Sequence, residues 1–229
     1  MKKFLALLFV SALVLSSACA FAADYEMIVG HAQPEGNPRY VSMEKFAADV
    51  EKLTDGHVKV TVFGNGQLGT EKEMLEQVVQ GVAQGMRGGQ FDFSPRLLMF
   101  TLPFLTNTRA EVTALLKSDL AKKVCAEAEK TTGTVIINLC DAGGYRQFST
   151  NAHPIKKPAD LVGLKMRTNG MKTIDMTFRA LGATTTTVPY ADLYMALKTG
   201  VADGQENPWV NVVGMKFYEV QKYFTGVNY

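Results

Sequence analysis

The sequence predicts an α/β fold with a largely parallel sheet. Two observations carry this reading. Short segments with strand character alternate with longer segments whose apolar residues recur every three or four positions. Helix-start and helix-stop residues then fall at the junctions, Thr70 at one start, Gly81 and Gly200 at two ends. The composition agrees: of 229 residues 47% are hydrophobic and 20% charged, which excludes a disordered or low-complexity chain. The length points to one or two domains.

Each element follows from local pattern. Glu26 to Ala32 is apolar enough for a first strand. Arg39 to Leu53 reads as a helix with Met43, Phe46, Ala47, Val50 and Leu53 on one face, stopped by Asp55-Gly56. Val58-Lys59-Val60-Thr61-Val62 alternates as a half-exposed strand does. Thr70 with Glu73 forms a capping-box pattern, opening a helix that turns Met74, Leu75, Val78 and Val79 inward. Val112, Leu115, Leu116, Leu120 and Val124 mark one further helix, and Thr134 to Leu139 a short apolar strand. Asp141-Ala142-Gly143-Gly144 reads as a hinge or domain crossing. Beyond it, Leu164 to Thr168 predicts a strand, and Thr173 to Leu181, Tyr190 to Lys198 and Val210 to Tyr218 predict helices. No internal repeat or low-complexity linker interrupts the pattern.

Residues 1–22 stand apart. Lys2 and Lys3 precede an apolar run from Phe4 to Leu15, and small residues follow, ending Ala20-Phe21-Ala22. A basic start, a short apolar core and an Ala-x-Ala end define a secretory signal peptide, with cleavage expected after Ala22. The run is shorter than the roughly 20 residues a membrane span needs. The formal charge of +2 comes from 24 basic and 22 acidic side chains, too balanced for a nucleic-acid binder. Both surplus charges belong to the leader, so the mature chain is expected to be neutral overall and soluble. Cys125 and Cys140 would reside in an oxidising compartment, where either a bridge or two free thiols fits their spacing.

Enzyme signatures are missing. There is no GxSxG elbow, no HExxH zinc site and no phosphate-binding loop of the Walker type. The three histidines, His31, His57 and His153, each sit beside Gly, Pro or a turn and read as solvated loop residues. No catalytic residue, metal site or cofactor is assigned. Two arginines stand out by position. Arg146 follows Gly143-Gly144, and Arg167 ends the strand Leu164-Lys165-Met166-Arg167. Ligands of open α/β sheets bind beyond the carboxyl ends of strands, and a guanidinium there matches a carboxylate with two parallel hydrogen bonds. A surface salt bridge is the plainer reading of either. Asn207-Pro208 reads as a cap and first helical position, with Asn207 also able to meet a ligand.

Gly144-Tyr145-Arg146, Leu161-Val162-Gly163-Leu164-Lys165-Met166-Arg167, Val188-Pro189-Tyr190-Ala191-Asp192-Leu193-Tyr194-Met195-Ala196-Leu197 and Asp203-Gly204-Gln205-Glu206-Asn207-Pro208 occur in one order and spacing. Upstream stand Gly66-Gln67-Leu68-Gly69 and Leu102-Pro103-Phe104-Leu105. Together these resemble the extracytoplasmic substrate-binding subunit of a tripartite ATP-independent periplasmic (TRAP) transporter, DctP type. The resemblance covers essentially all of the chain beyond the leader.

The resemblance implies a two-domain periplasmic solute-binding-protein fold with hinge-crossing strands: a first α/β domain over 23–143 and a second over 144–229. It implies a monomer in the periplasm that holds a small organic acid, such as a dicarboxylate, between the domains and delivers it to membrane permease subunits without ATP. The main carboxylate-binding arginine of the family falls on Arg167, a second arginine on Arg146, the cleft asparagine on Asn207 and the aromatic that packs on the ligand on Tyr190. Glu206 belongs to the same motif. First-domain contacts fall around His31, Asn37 and Thr70. Two departures qualify this. The family commonly shows Gly-x-x-Asp where this chain has Gln84 after Gly81, and Arg87 beyond it reads as a surface residue or as an added positive charge near the ligand. The family also continues past the position matching Tyr229, so the chain is expected to be incomplete there, ending at the start of a return strand. A secreted α/β enzyme acting on an organic acid and a ligand sensor for a membrane receptor are the alternative functions.

Overall fold

β1 (Tyr25–His31) is the central strand of a three-stranded parallel sheet, in a computed structural model that describes residues 23–229. The signal-peptide reading of residues 1–22 lies outside the described residues. β1 pairs with β2 (Val58–Phe63) and with β3 (Gly85–Arg87), the latter in the register Val29↔Gly85, Gly30↔Met86, His31↔Arg87. α1 (Pro38–Leu53) and α2 (Glu71–Val79) supply the crossovers that parallel strands require. α1 starts where Pro38 occupies the first turn and the Asn37 side chain accepts from Arg39 N. α2 starts on the predicted capping box: Thr70 Oγ1 accepts from Glu73 N at 3.2 Å, and Glu73 Oε2 accepts from Thr70 N at 2.7 Å. Leu53 and Val79, expected inward, are exposed, because a sheet of three short strands covers the middle of each helix and not its last turn.

The predicted single helix around Val112 to Val124 is two helices, α3 (Arg109–Leu116) and α4 (Asp119–Thr132). Ser118 interrupts them. Its hydroxyl accepts from Ala121 N, and a side chain that satisfies an orphan N–H favours a fresh start over continuation. Val124 and Ala128 of α4 close on Leu97, with Phe91, Phe93, Met99, Phe100, Ile136 and Leu139 around them. The expected strand from Thr134 to Leu139 does not form. Ile136 and Leu139 pack inward while Val135 and Ile137 are 79% exposed, an extended run with no ladder neighbour among the described residues.

Beyond Gly143 and Gly144, both at positive φ, a second sheet of five strands runs in the order β6-β5-β7-β4-β8. Its strands are β4 (Arg146–Thr150), β5 (Lys165–Thr168), β6 (Thr184–Thr187), β7 (Gly204–Pro208) and β8 (Tyr223–Thr225). β5 runs parallel to β6 and β7, whereas β4 is antiparallel to β7 and β8. The helices are α5 (Lys172–Ala180), α6 (Leu193–Lys198) and α7 (Trp209–Gly214). α6 starts later than expected, leaving Tyr190 in the turn before it. α7 ends early, because Lys216 at φ +54 breaks the path to the 3₁₀ turn Phe217–Glu219. Phe148, Leu161, Met166, Ile174 and Phe178 form one core; Leu193, Leu197, Val212 and Phe217 form another. The expected cap at Asn207 is corrected: Asn207 is a strand residue of β7, and Pro208 takes the cap position. Cys125, half-buried, and Cys140, exposed, are free thiols.

Candidate functional site

In an open α/β sheet the crevice for a ligand opens beyond the carboxyl ends of strands, where successive crossovers turn to opposite sides. In the first sheet, β1-α1-β2 builds to one side of β1 and α2 leads to β3 on the other. The reversal therefore lies between the ends of β1 and β3, at the register partners His31 and Arg87. In the second sheet the same reversal lies between β5 and β7. It places Arg167 beside the Glu206-Asn207 end of β7.

Arg167 is 1% exposed. Its Nε donates to Val188 O at 2.8 Å, and one terminal nitrogen is buried without any partner. Burial pushes its pKa down to about 10; Glu206 opposes that shift and Arg146 adds to it. The group is still protonated at neutral pH. A buried cation without its own carboxylate is costly, and an incoming anion relieves that cost. The surface-salt-bridge reading is thus excluded for Arg167.

Arg146 is differently placed. Its guanidinium binds the Glu206 carboxylate through Nε and a terminal nitrogen, and the same nitrogen donates to Glu206 O at 3.1 Å. Tyr229 Oη donates to Glu206 Oε2 at 2.8 Å. Burial alone would lower the Arg146 pKa, but the Glu206 ion pair outweighs it and holds it above the ordinary value. Asn207 is buried in a chain of amides: Asn211 Nδ2 donates to Asn207 Oδ1 at 2.8 Å, and Asn207 Nδ2 donates to Gln205 Oε1 at 2.6 Å. It lines neither of the two cavities described next.

Two cavities meet at Glu71. One, of about 810 Å³, is lined by Arg167, Tyr190 and Glu71, with Thr70 at its wall. The other, of about 250 Å³, is lined by His31, Arg39, Glu71, Arg87 and Arg146. The Tyr190 hydroxyl is buried without a partner, and burial raises its pKa. Thr70 is spent on its helix cap. Asn37 caps α1, donates to Gln33 Oε1 at 3.0 Å and lines neither cavity.

His31 corrects the solvated-loop reading; His57 and His153 are exposed, but His31 is 1% exposed at the end of β1. Its Nδ1 accepts from Gln33 N at 3.1 Å, which assigns the proton to Nε2, a buried atom with no partner. Burial, then Arg87 and Arg39, push its pKa down to about 4. Arg87, half-buried, lines the smaller cavity, as the ligand-side reading expects. Arg39 and Glu71 carry no mark in the sequence, since charges in a first helical turn are commonly solvated. The signal that could have found Arg39 is its position just beyond the carboxyl end of β1. Among the described residues no group of three or more His, Cys, Asp or Glu gathers to hold a metal ion.

Residues 29–228 match the model of the DctP family, bacterial extracellular solute-binding protein family 7. The chain belongs to this family. The C4-dicarboxylate-binding periplasmic protein DctP of Rhodobacter capsulatus is 32% identical over 229 residues, spanning 96% of this chain and 67% of that one. A TRAP periplasmic solute-binding protein from Sulfurospirillum deleyianum with bound succinate is 31% identical with a TM-score of 0.80, over 89% of this chain and 66% of that one. Another from Roseobacter denitrificans, with bound L-galactonate, is 26% identical with a TM-score of 0.84, over 88% and 67%. This family-7 chain therefore spans about two thirds of the length of these relatives. Its two α/β sheets have the fold of the TRAP binding proteins.

Proposed function

We propose that this chain captures a small organic acid between its two sheets and serves as the extracytoplasmic binding component of a TRAP-type transporter. The observation that carries the reading is Arg167: buried, charged, without a carboxylate of its own, and at the strand-end crevice. The ligands named for relatives, succinate and L-galactonate, differ in length and hydroxylation but share a carboxylate. A guanidinium fork reads that shared group. Tyr190 offers a ring and a free hydroxyl beside it, while Arg146, Glu206 and Asn207 hold the wall behind it rigid.

Residues 23–143 and 144–229 act as the two domains, and closure on the acid shifts the population toward a shut form that the permease reads. The chain is exported to the periplasm through residues 1–22, works as a monomer, and releases its acid unchanged, with no catalytic residue or cofactor. Calorimetric titration against a panel of organic acids tests the reading. At least one acid binds the parent chain, and Arg167→Ala weakens it by about 3–5 kcal/mol, the usual size for removing one partner of a desolvated charge pair. Unchanged affinity in that variant removes Arg167 from this role.

A further inference from the structure

Among the described residues two Asn-Gly pairs occur, Asn65-Gly66 and Asn169-Gly170. An asparagine followed by glycine can cyclise, because the glycine nitrogen, unshielded by a side chain, reaches the side-chain amide carbon. The fold treats the two pairs differently. Gly66 N donates to His31 O at 3.1 Å and Asn65 N to Gln33 O at 2.8 Å, so attack by Gly66 must first break a backbone hydrogen bond. Gly170 is exposed, and its N–H has no hydrogen-bond partner among the described residues.

The Asn169 amide is also positioned. Its Oδ1 accepts from Met171 N at 3.1 Å, a turn that folds the side chain back over the Gly170 nitrogen. Gln90 Nε2 donates to Asn169 O at 2.7 Å and anchors the carbonyl of the same peptide. The nucleophile is thus fixed beside its target carbon, and the Met171 N–H stands on the oxygen where negative charge develops.

We infer that Asn169-Gly170 is a self-modifying site, at which the chain converts an asparagine of its own cleft wall into an aspartate or isoaspartate. Water takes the Gly170 N–H proton, the nitrogen bonds to Asn169 Cγ, and the bond from Cγ to Nδ2 breaks with loss of ammonia. One water then opens the cyclic imide at either carbonyl. Asn169 lines the same cavity as Arg167 and Tyr190. The new carboxylate repels an incoming acid and competes with it for Arg167. That loss of affinity rests on the organic-acid reading; the conversion itself does not.

The experiment ages the folded chain and the chain in urea at mildly alkaline pH and follows tryptic peptides by mass. Asn169 falls in residues 168–172 and Asn65 in residues 60–72. In the folded chain Asn169 is expected to convert at least about 5-fold faster than Asn65, the scale of the one hydrogen bond that Gly66 must break. Urea brings the two rates together. Calorimetric titration with a panel of organic acids, succinate and L-galactonate among them, is expected to show at least about 10-fold weaker binding after ageing, the effect of one like charge in the cleft. Fresh Asn169→Asp reproduces the loss, and Asn169→Gln, whose longer side chain cyclises poorly, shows no further loss on ageing. Thermal melts confirm that the aged samples are folded. Conversion of Asn65 in the folded chain as fast as that of Asn169 overturns the site. Conversion at Asn169 with unchanged affinity overturns its effect on the cleft and leaves the organic-acid reading intact. If no acid binds the fresh chain, the organic-acid reading falls with that effect, and the two conversion rates still decide the site.

Discussion

At the scale of single residues, the cleft stores unfavourable groups that a ligand relieves. Arg167 is the clearest case, since its buried charge lacks a carboxylate. Replacing it with an apolar side chain of similar length removes a desolvation cost from the empty protein. Arg167→Met is therefore expected to raise urea-derived stability by about 1–3 kcal/mol while abolishing acid binding. A variant that loses both stability and binding would instead make Arg167 a structural residue. His31 makes the converse case. Its folded pKa of about 4 lies below the ordinary imidazole value of 6.5, so the unfolded chain takes up a proton first as pH falls. The stability His31 contributes is present above pH 6.5 and is lost as pH falls from 6.5 toward 4. Between pH 7.5 and 4.5 this amounts to about 2 kcal/mol, which His31→Gln is expected to lack when urea midpoints are compared at the two pH values. The strand-end position of Arg167 fits a surface salt bridge as readily as a ligand contact; its motif's resemblance marks it, and its burial is visible only in the fold. His31 was misread because its Gly and Ala neighbours look like a loop, whereas they are the close-packed end of a central strand.

At the scale of elements, what the sequence showed was apolar periodicity, and what it hid was polar strands. β7, Gly204-Gln205-Glu206-Asn207-Pro208, is fully buried yet has no apolar side chain apart from Pro208. Its side chains are satisfied by Ser149, Arg146, Asn211 and one another, partners that only the fold supplies. β6, four threonines at the sheet edge, and β4 were hidden for the same reason. The Thr134–Leu139 run failed in the opposite sense: its pattern is that of a strand, but a ladder needs a neighbour. Packing between strands gives a sharp test. A Cβ on Gly204 would lie 2.4 Å from Ser149 O and 2.9 Å from Met166 Sδ, whereas one on Gly85 meets only Val29, at 3.5 Å or more. Neither glycine needs a positive φ. Gly204→Ala is thus expected to cost about 1–3 kcal/mol by overpacking β7 against β4 and β5, and Gly85→Ala less than about 1 kcal/mol, as read from urea unfolding. Equal costs at the two sites would mean that β7 can move away from its neighbours.

At the scale of the whole molecule, the question is whether the two sheets unfold together. The segment between them ties them. Phe91 packs on both the Leu97–Val124 core and the Phe148–Phe178 core, Gln90 Nε2 donates to Asn169 O at 2.7 Å, and Thr101 and Thr173 share a 2.7 Å hydroxyl contact. These links, with Arg39 reaching Ala142 O, make unfolding of one half expose apolar surface of the other. A single transition is therefore expected. The one tryptophan, Trp209 at the start of α7, reports the second sheet, while far-ultraviolet circular dichroism reports both. Their midpoints are expected to coincide. An acid held from both sides stabilises that whole unit by mass action, about 2.7 kcal/mol at a concentration 100 times its dissociation constant. For a chain of this size that raises both midpoints together by roughly 5 to 10 °C. If acid moved the tryptophan midpoint and left part of the dichroism signal unfolding at its old temperature, the cleft would belong to the second sheet alone.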